Sequence, residues 1–197
     1  MTKQQTIYFA SSNKDKLKEI KSIWPLKKIE IKTASKNFKV NENGKTFISN
    51  AIKKAKTLSI SKRAYAFADD SGIEVFALKR KPGIKSSRYF RNGKGMYEII
   101  KKLKTKKHRK CCFTCAIAFT SPEGKVLYKI EKSWFGNIAL KPKGKNGFGY
   151  DPIFIIPRLN KTSAEISPKL KNKISHRAMA LKAFVSWLKK SYNKLTV

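Results

Sequence analysis

Short apolar runs and helical apolar stripes alternate along this chain. Thr6-Ile7-Tyr8-Phe9-Ala10 is a compact apolar run and predicts a buried strand. Ser11-Ser12-Asn13 follows, and from Lys14 to Trp24 the apolar positions Leu17, Ile20 and Ile23 or Trp24 share one helical face, with Ser12 or Asn13 placed to cap it. Pro25 ends that helix, and Ile29-Glu30-Ile31-Lys32-Thr33 alternates as a second strand. The polar stretch 37–45 predicts a loop. A helix from Thr46 to about Ser59 would bury Ile48, Ala51 or Ile52, Ala55 and Leu58.

The run Ala64-Tyr65-Ala66-Phe67-Ala68 is expected to be a strand that stops at two adjacent carboxylates, Asp69-Asp70, followed by Ser71-Gly72. Taken alone, Asp-Ser-Gly is ordinary turn chemistry. The alternative is a site: carboxylates at the end of a buried strand need a cation or donors, and Mg²⁺ commonly takes one or two of them. Farther on, Met96 to Leu103 predicts a short helix. Cys111 to Thr120 and Lys125 to Ile138 predict two strands joined at Ser121-Pro122-Glu123-Gly124, and Ile153 to Ile156 predicts another. The last helix opens at Ser175-His176-Arg177 and buries Ala178, Leu181, Phe184, Val185 and Leu188. Positive charge in a first helical turn opposes the helix dipole, so His176 and Arg177 hint at a use that offsets that cost.

Composition sharpens this outline. A chain of 197 residues with 41% hydrophobic residues suits one globular domain, 1–197, with two lobes at most. No apolar run is long enough to cross a bilayer, and the N-terminus lacks a signal-peptide pattern, so a cytoplasmic protein with no membrane partner is expected. With 46 Lys+Arg against 12 Asp+Glu, the formal net charge is +34. Such a balance favours polyanion partners, either nucleic acid or a phosphorylated small molecule. The lysines run from Lys3 to Lys194 without gathering into an arm, and the basic stretch 104–110 lacks interleaved aromatics, so nucleic-acid contact is expected to be non-specific if it occurs.

Cys111, Cys112 and Cys115 lie near His108, which raises zinc. On a strand, however, Cys111 and Cys115 would be roughly 13 Å apart at about 3.3 Å per residue. Free cysteines packed in a core in a reducing compartment are the expectation. Strand, polar loop and helix N-terminus at 6–16 is a natural anion site, with Lys14 and Lys16 adding charge. The glycine-rich basic loop 141–149 leads into Phe148-Gly149-Tyr150, where an aromatic could stack on a flat base or pack into the core.

Several of these stretches, in order, resemble the inosine triphosphate pyrophosphatase family. They are Ala10-Ser11-Ser12-Asn13-Lys14-Asp15-Lys16 with Glu19, Asn41-Glu42-Asn43-Gly44-Lys45-Thr46-Phe47, Asn50-Ala51-Ile52-Lys53-Lys54-Ala55 and Ala68-Asp69-Asp70-Ser71-Gly72. Pro82-Gly83-Ile84-Lys85-Ser86-Ser87-Arg88-Tyr89, Gly147-Phe148-Gly149-Tyr150-Asp151-Pro152-Ile153-Phe154 and Ser175-His176-Arg177 complete the set. The resemblance implies an elongated, two-lobed α/β fold around a long mixed sheet, with an active-site cleft between lobes and usually a homodimer. It implies Mg²⁺-dependent cleavage of ITP, dITP or XTP to the monophosphate and pyrophosphate.

Residue by residue, the resemblance makes Asp70 the catalytic, metal-binding carboxylate. Ser11, Ser12, Asn13, Lys14, Asp15 and Lys16 become the triphosphate loop, and Lys54 a further phosphate contact. Ser71, Phe148, Gly149, Tyr150, Asp151, Lys171, His176 and Arg177 become the nucleotide pocket. Arg is donor-only, so Arg177 can bond a 6-oxo group but not a 6-amino group. One departure stands out: the family's metal-binding acid falls on Asn41, so either Asn41 coordinates through its amide oxygen or Glu42 substitutes. Two rivals remain: a basic nucleic-acid-binding domain without turnover, and a pyrophosphatase with another nucleotide preference.

Overall fold

Gln5–Phe9 forms strand β1, and its parallel partner is β2 (Ile29–Thr33), with Ile7 opposite Ile31. Between them runs α1 (Lys14–Ile23), capped by Asn13, whose side chain accepts from the amides of Asp15 and Lys16. Helix α2 (Phe47–Lys62) starts at Thr46, which exchanges hydrogen bonds with Ser49 in a capping box. The computed structural model describes residues 5–35 and 37–195.

Strand β3 (Ala66–Val75) pairs parallel to β1, with Phe9 opposite Phe67. It does not stop at the carboxylates. Ten residues run straight through Asp69-Asp70-Ser71-Gly72, correcting the expected strand end at Ala68 and the turn reading. Partners distant in sequence make this possible, because both carboxylates meet cations and donors. At Gly72 the strand passes so close to the next segment that a Cβ would lie 2.4 Å from Ser86 Oγ and 2.5 Å from Gly83 O. That hydroxyl in turn accepts from the amide of Ile73 at 2.9 Å.

Strand β4 (Lys81–Pro82) pairs antiparallel to β3, and the helices α3 (Ser86–Phe90) and α4 (Lys94–Lys102) follow. Strands β5 (Lys110–Thr120) and β6 (Val126–Ile138) match the predicted hairpin to within a residue. Strands β7 (Phe154–Ile156) and β8 (Lys161–Thr162) add antiparallel pairs. The short helix α5 (Pro168–Ile174) then precedes α6 (His176–Leu195). Among the described residues there are eight strands in one mixed sheet, ordered β2-β1-β3-β5-β6-β7-β8, with β4 on β3.

The chain divides into two compact units. The first holds Met1–Asp70, Cys115–Lys132 and Arg177–Val197, and the second Ser71–Thr114 and Ser133–His176. In the first unit α6 buries Leu181, Phe184, Val185 and Leu188 against Phe9, Phe67 and Phe119, with Phe184 5.4 Å from Phe67 and 5.3 Å from Phe119. In the second, Phe113 and Trp134 pack on Phe154 at 4.6 and 4.7 Å. Burying rings of this size removes roughly 150–250 Å² each from water, which makes these clusters the main support of each unit.

Cys111, Cys112 and Cys115 are free and buried. Burial pushes the Cys115 thiol up to about 12, so it stays protonated and inert. The basic stretch before β5 is partly spent inward. The Arg109 guanidinium donates to the carbonyls of Ile138, Leu103 and Ala139 at 2.7, 3.0 and 2.8 Å, stapling the second unit together.

Candidate active site

Helix α2 carries the first part of the site on its buried face. Periodicity places Ile48, Ala51 or Ile52, Ala55 and Leu58 there; Ala51, Ala55 and Leu58 are buried, whereas Ile48 and Ile52 are only half-buried. The buried face is Phe47, Asn50, Ala51, Lys54, Ala55, Leu58 and Ser59, so three polar side chains take core positions. Residues four apart on a helix share a face, and Asn50 and Lys54 divide one carboxylate between them. Asn50 Nδ2 donates to Asp70 Oδ2 at 3.1 Å, and Lys54 Nζ donates to Asp70 Oδ1 at 3.1 Å. Asn50 also accepts from the amide of Gly44 at 2.8 Å. A Cβ on Gly44 would sit 2.5 Å from that Asn50 oxygen, which is why glycine stands there.

Gly44 thus draws the 41–45 loop onto the helix, and the loop delivers Glu42. Its Oε1 lies 2.8 Å from the same Lys54 ammonium. Asn41 is exposed and is absent from this group. Of the two ligands left open by the sequence, Glu42 is the one brought to Asp70. One ammonium between two carboxylates leaves a net charge of −1. Burial raises the Asp70 carboxyl above the usual carboxylate range, while Lys54 and Lys16 pull against that rise. Burial by itself would lower the Lys54 ammonium, but Asp70, Asp69 and Glu42 outweigh it and raise it.

A second group in the same unit surrounds Asp69, which is wholly buried. Lys16 reaches Asp69 Oδ1 at 3.0 Å, and Arg177 reaches Oδ2 through Nε and Nη2, both at 3.2 Å. Arg177 Nη1 pairs with Glu19. Two cations here face two carboxylates. This arrangement resolves the oddity of Arg177 in a first helical turn, because the charge is met by side chains from α1 and β3.

Two residues expected at the substrate are engaged with protein side chains. Lys16 is turned inward onto Asp69, whereas Lys14 is exposed. Arg177, expected at the base, is 2% exposed and engaged with Asp69 and Glu19. Sequence reasoning left Asp69, Glu19 and Asn50 out of the site. The signal for Asp69 was its place beside Asp70 on a strand, where it must face the other way.

The loop expected to meet the triphosphate is ordered by its own hydrogen bonds. Ser11 Oγ accepts from the Asn13 amide at 3.2 Å, and Asn13 Oδ1 accepts from Asp15 and Lys16 at 2.9 and 3.1 Å. Ser12, Asn13, Lys14 and Asp15 are exposed, and Ser11 is half-buried.

In the second unit the predicted nucleotide residues divide into those that present a surface and those that hold it. Asp151 is buried, pairs with buried Lys171 and accepts from the Phe148 amide at 2.7 Å. Lys171 also lies 4.9 Å from the centre of the Phe148 ring. Tyr150 is buried and donates through its hydroxyl to the Ser86 carbonyl at 3.0 Å. These three, expected as nucleotide contacts, are engaged with protein and fix the loop that bears half-buried Phe148 and Gly149. The His176 ring stacks on Phe113 at 4.8 Å with a 12° angle between planes, and it is buried. Ser71 is half-buried on β3.

Among the described residues no group of three His, Cys, Asp or Glu side chains converges as a metal site. Glu42 and Asp70 nevertheless already hold a cation between them, the Lys54 ammonium, and Mg²⁺ needs only one or two protein carboxylates when water and phosphate complete its shell. The donors fit that ion.

The model of the Ham1 family matches residues 7–187. A dITP/XTP pyrophosphatase of Prochlorococcus marinus subsp. pastoris is 41% identical over 183 residues, covering 92% of this chain and 96% of the relative. A dITP/XTP pyrophosphatase of Staphylococcus epidermidis is 39% identical over 189 residues, covering 93% and 96%. The solved structure of a HAM1 protein from Coxiella burnetii superposes with a TM-score of 0.85 at 36% identity, covering 94% of this chain and 99% of that one.

Proposed function

Because the chain belongs to the Ham1 family, we propose that it hydrolyses the deaminated purine nucleotides ITP, dITP and XTP to the nucleoside monophosphate and pyrophosphate, keeping them out of DNA and RNA. The observation that carries this reading is the Glu42–Lys54–Asp70 group, two carboxylates sharing one cation, in a chain 41% identical to a dITP/XTP pyrophosphatase.

Asp70 and Glu42 would hold Mg²⁺, which supplies charge neutralisation at the phosphates when bound. The Asp70 carboxylate orients water and takes its proton as the water attacks phosphorus. The anhydride between the α- and β-phosphates breaks, and pyrophosphate leaves. A carboxyl raised by burial suits that task, since a base works best with a pKa drawn toward the working pH. Asn50 fixes the second oxygen of Asp70 and so the direction of the first. Lys14, the α1 amides and Lys54 meet the triphosphate. In the second unit the Phe148 ring, its loop held by the Asp151–Lys171 pair, is a candidate stacking surface for a flat base.

Purified protein incubated with ITP, dITP, XTP, ATP and a pyrimidine triphosphate, with pyrophosphate measured, is expected to turn over the first three at least about tenfold faster. Equal rates would point to another nucleotide preference, and no release from any of them to a binding domain. The two candidate ligands also separate. Glu42→Gln is expected to raise the Mg²⁺ needed for half-maximal rate about tenfold, whereas Asn41→Ala shifts it less than twofold. The reverse pattern would give the role to Asn41.

No helix among the described residues is long and apolar enough to cross a membrane. A cytoplasmic place beside the nucleotide pool suits the proposed reaction. We also read the protein as a homodimer: Phe135 and Leu140 in the second unit are 64% and 77% exposed, apolar surface that a second copy would cover. Sedimentation at micromolar concentration tests this, a 22.5 kDa monomer being the contrary result.

A further inference from the structure

Lys54 stands in an unusual place for a phosphate-binding lysine. Its ammonium lies 2.8 Å from Glu42 Oε1 and 3.1 Å from Asp70 Oδ1, with only 10% of the side chain exposed. A divalent ion held by the same two carboxylates would sit within a few ångströms of this ammonium, where like charges repel strongly in a buried setting. The two cations therefore compete for one position.

We propose that Lys54 is an exchangeable internal counter-ion. It holds Glu42 and Asp70 together until a divalent ion replaces it, and the displaced ammonium then pairs with the nucleotide's phosphate. This rests on the reading of Glu42 and Asp70 as metal ligands.

Three features support the exchange. The Lys54 group carries a net charge of −1, so replacing +1 by +2 neutralises it. Asn50 holds Asp70 Oδ2 independently of Lys54, so Asp70 keeps its orientation when the ammonium leaves. Lysine is a point charge on a flexible four-carbon stem and can swing to a new partner, unlike a bidentate arginine. The consequence is coupling. Metal alone must expel the ammonium into solvent, but metal arriving with a triphosphate hands it a new anion. By linkage each ligand then tightens the other equally.

The test is calorimetric titration of the protein with Mn²⁺ without nucleotide. Lys54→Met is expected to bind the ion at least about tenfold more tightly than wild type, whereas Lys54→Arg, which keeps the charge, stays within about threefold. A non-hydrolysable ITP analogue is expected to tighten Mn²⁺ binding strongly in wild type and much less in Lys54→Met. In the wild-type protein, acetylation of the Lys54 amine, followed by mass spectrometry, is expected to rise when Mn²⁺ is added. That measurement needs no variant to fold.

Unchanged or weaker Mn²⁺ binding in Lys54→Met, with Glu42→Gln and Asp70→Asn each abolishing binding, would overturn the exchange and leave the metal ligands standing. Unaltered Mn²⁺ binding in Glu42→Gln and Asp70→Asn would overturn the ligand assignment and the exchange together. Lys54 acetylation that fails to rise at saturating Mn²⁺ would also overturn the exchange.

Discussion

An Asp70→Asn protein is expected to fold and to release pyrophosphate from ITP about 10³-fold more slowly than wild type, the scale of a lost general base. The substitution conserves shape. Its amide oxygen can still accept from Asn50, and Lys54 keeps Glu42. What disappears is the negative charge that would hold a cation and the lone pair that would take a proton. Pyrophosphate release and a thermal melt on the same preparation check both halves. A rate within tenfold of wild type, at an unchanged melting temperature, would remove Asp70 from the chemistry.

The second large effect concerns stability. Asp69→Asn is expected to cost about 3–5 kcal/mol, the usual result of breaking a buried ion pair from one side. For a chain of this size that is about 6–20 °C in melting temperature. Lys16 and Arg177 both lean on Asp69, and the substitution takes the anion from both.

The pH dependence follows from the direction of the Asp69 shift. Burial pushes its carboxyl up, but Lys16, Arg177 and Lys54 overrule this and hold it far below the usual carboxylate range. A depressed acid contributes fully above its unfolded value, about 3.9, and loses that contribution as pH falls through the folded value. The gap between wild type and Asp69→Asn is therefore expected to be constant from pH 8 to 5 and to narrow only below about pH 4. Calorimetry at pH 8, 6, 5 and 3.5 measures it. A gap that closes between pH 7 and 5 would mean that another group carries it.

Elements with one apolar face were legible in the sequence. Helix α1 begins after Asn13 as its cap predicts, and α6 buries all five residues of its predicted stripe. The misreadings cluster where function overrides pattern. Helix α2 buries Ala51, Ala55 and Leu58 as its stripe predicts, but it also gives core positions to Asn50 and Lys54, which a search for apolar residues passes over. Strand β3 continues past Ala68 because Lys16, Lys54 and Arg177 meet its carboxylates, and none of the three is near in sequence. The choice between Asn41 and Glu42 depends on where one loop lands, which spacing alone does not fix. Residues 157–174 went unassigned because β8 has two residues and α5 only seven, too few to display a period.

The inward use of acidic groups has a consequence for encounter with ligands. Asp69, Asp70, Asp151, Glu19 and Glu74 all have side chains no more than 15% exposed and paired with cations, out of only 12 acids in the chain. Few are left to relieve the lysines outside, so the solvent-facing field is positive over long distances. A triphosphate should be drawn in quickly from dilute buffer and more slowly as added electrolyte shortens the Debye length from about 30 Å at 0.01 M to about 8 Å at 0.15 M. Inorganic phosphate buffers will crowd the same surface, so arrival rates belong in a buffer of monovalent anions.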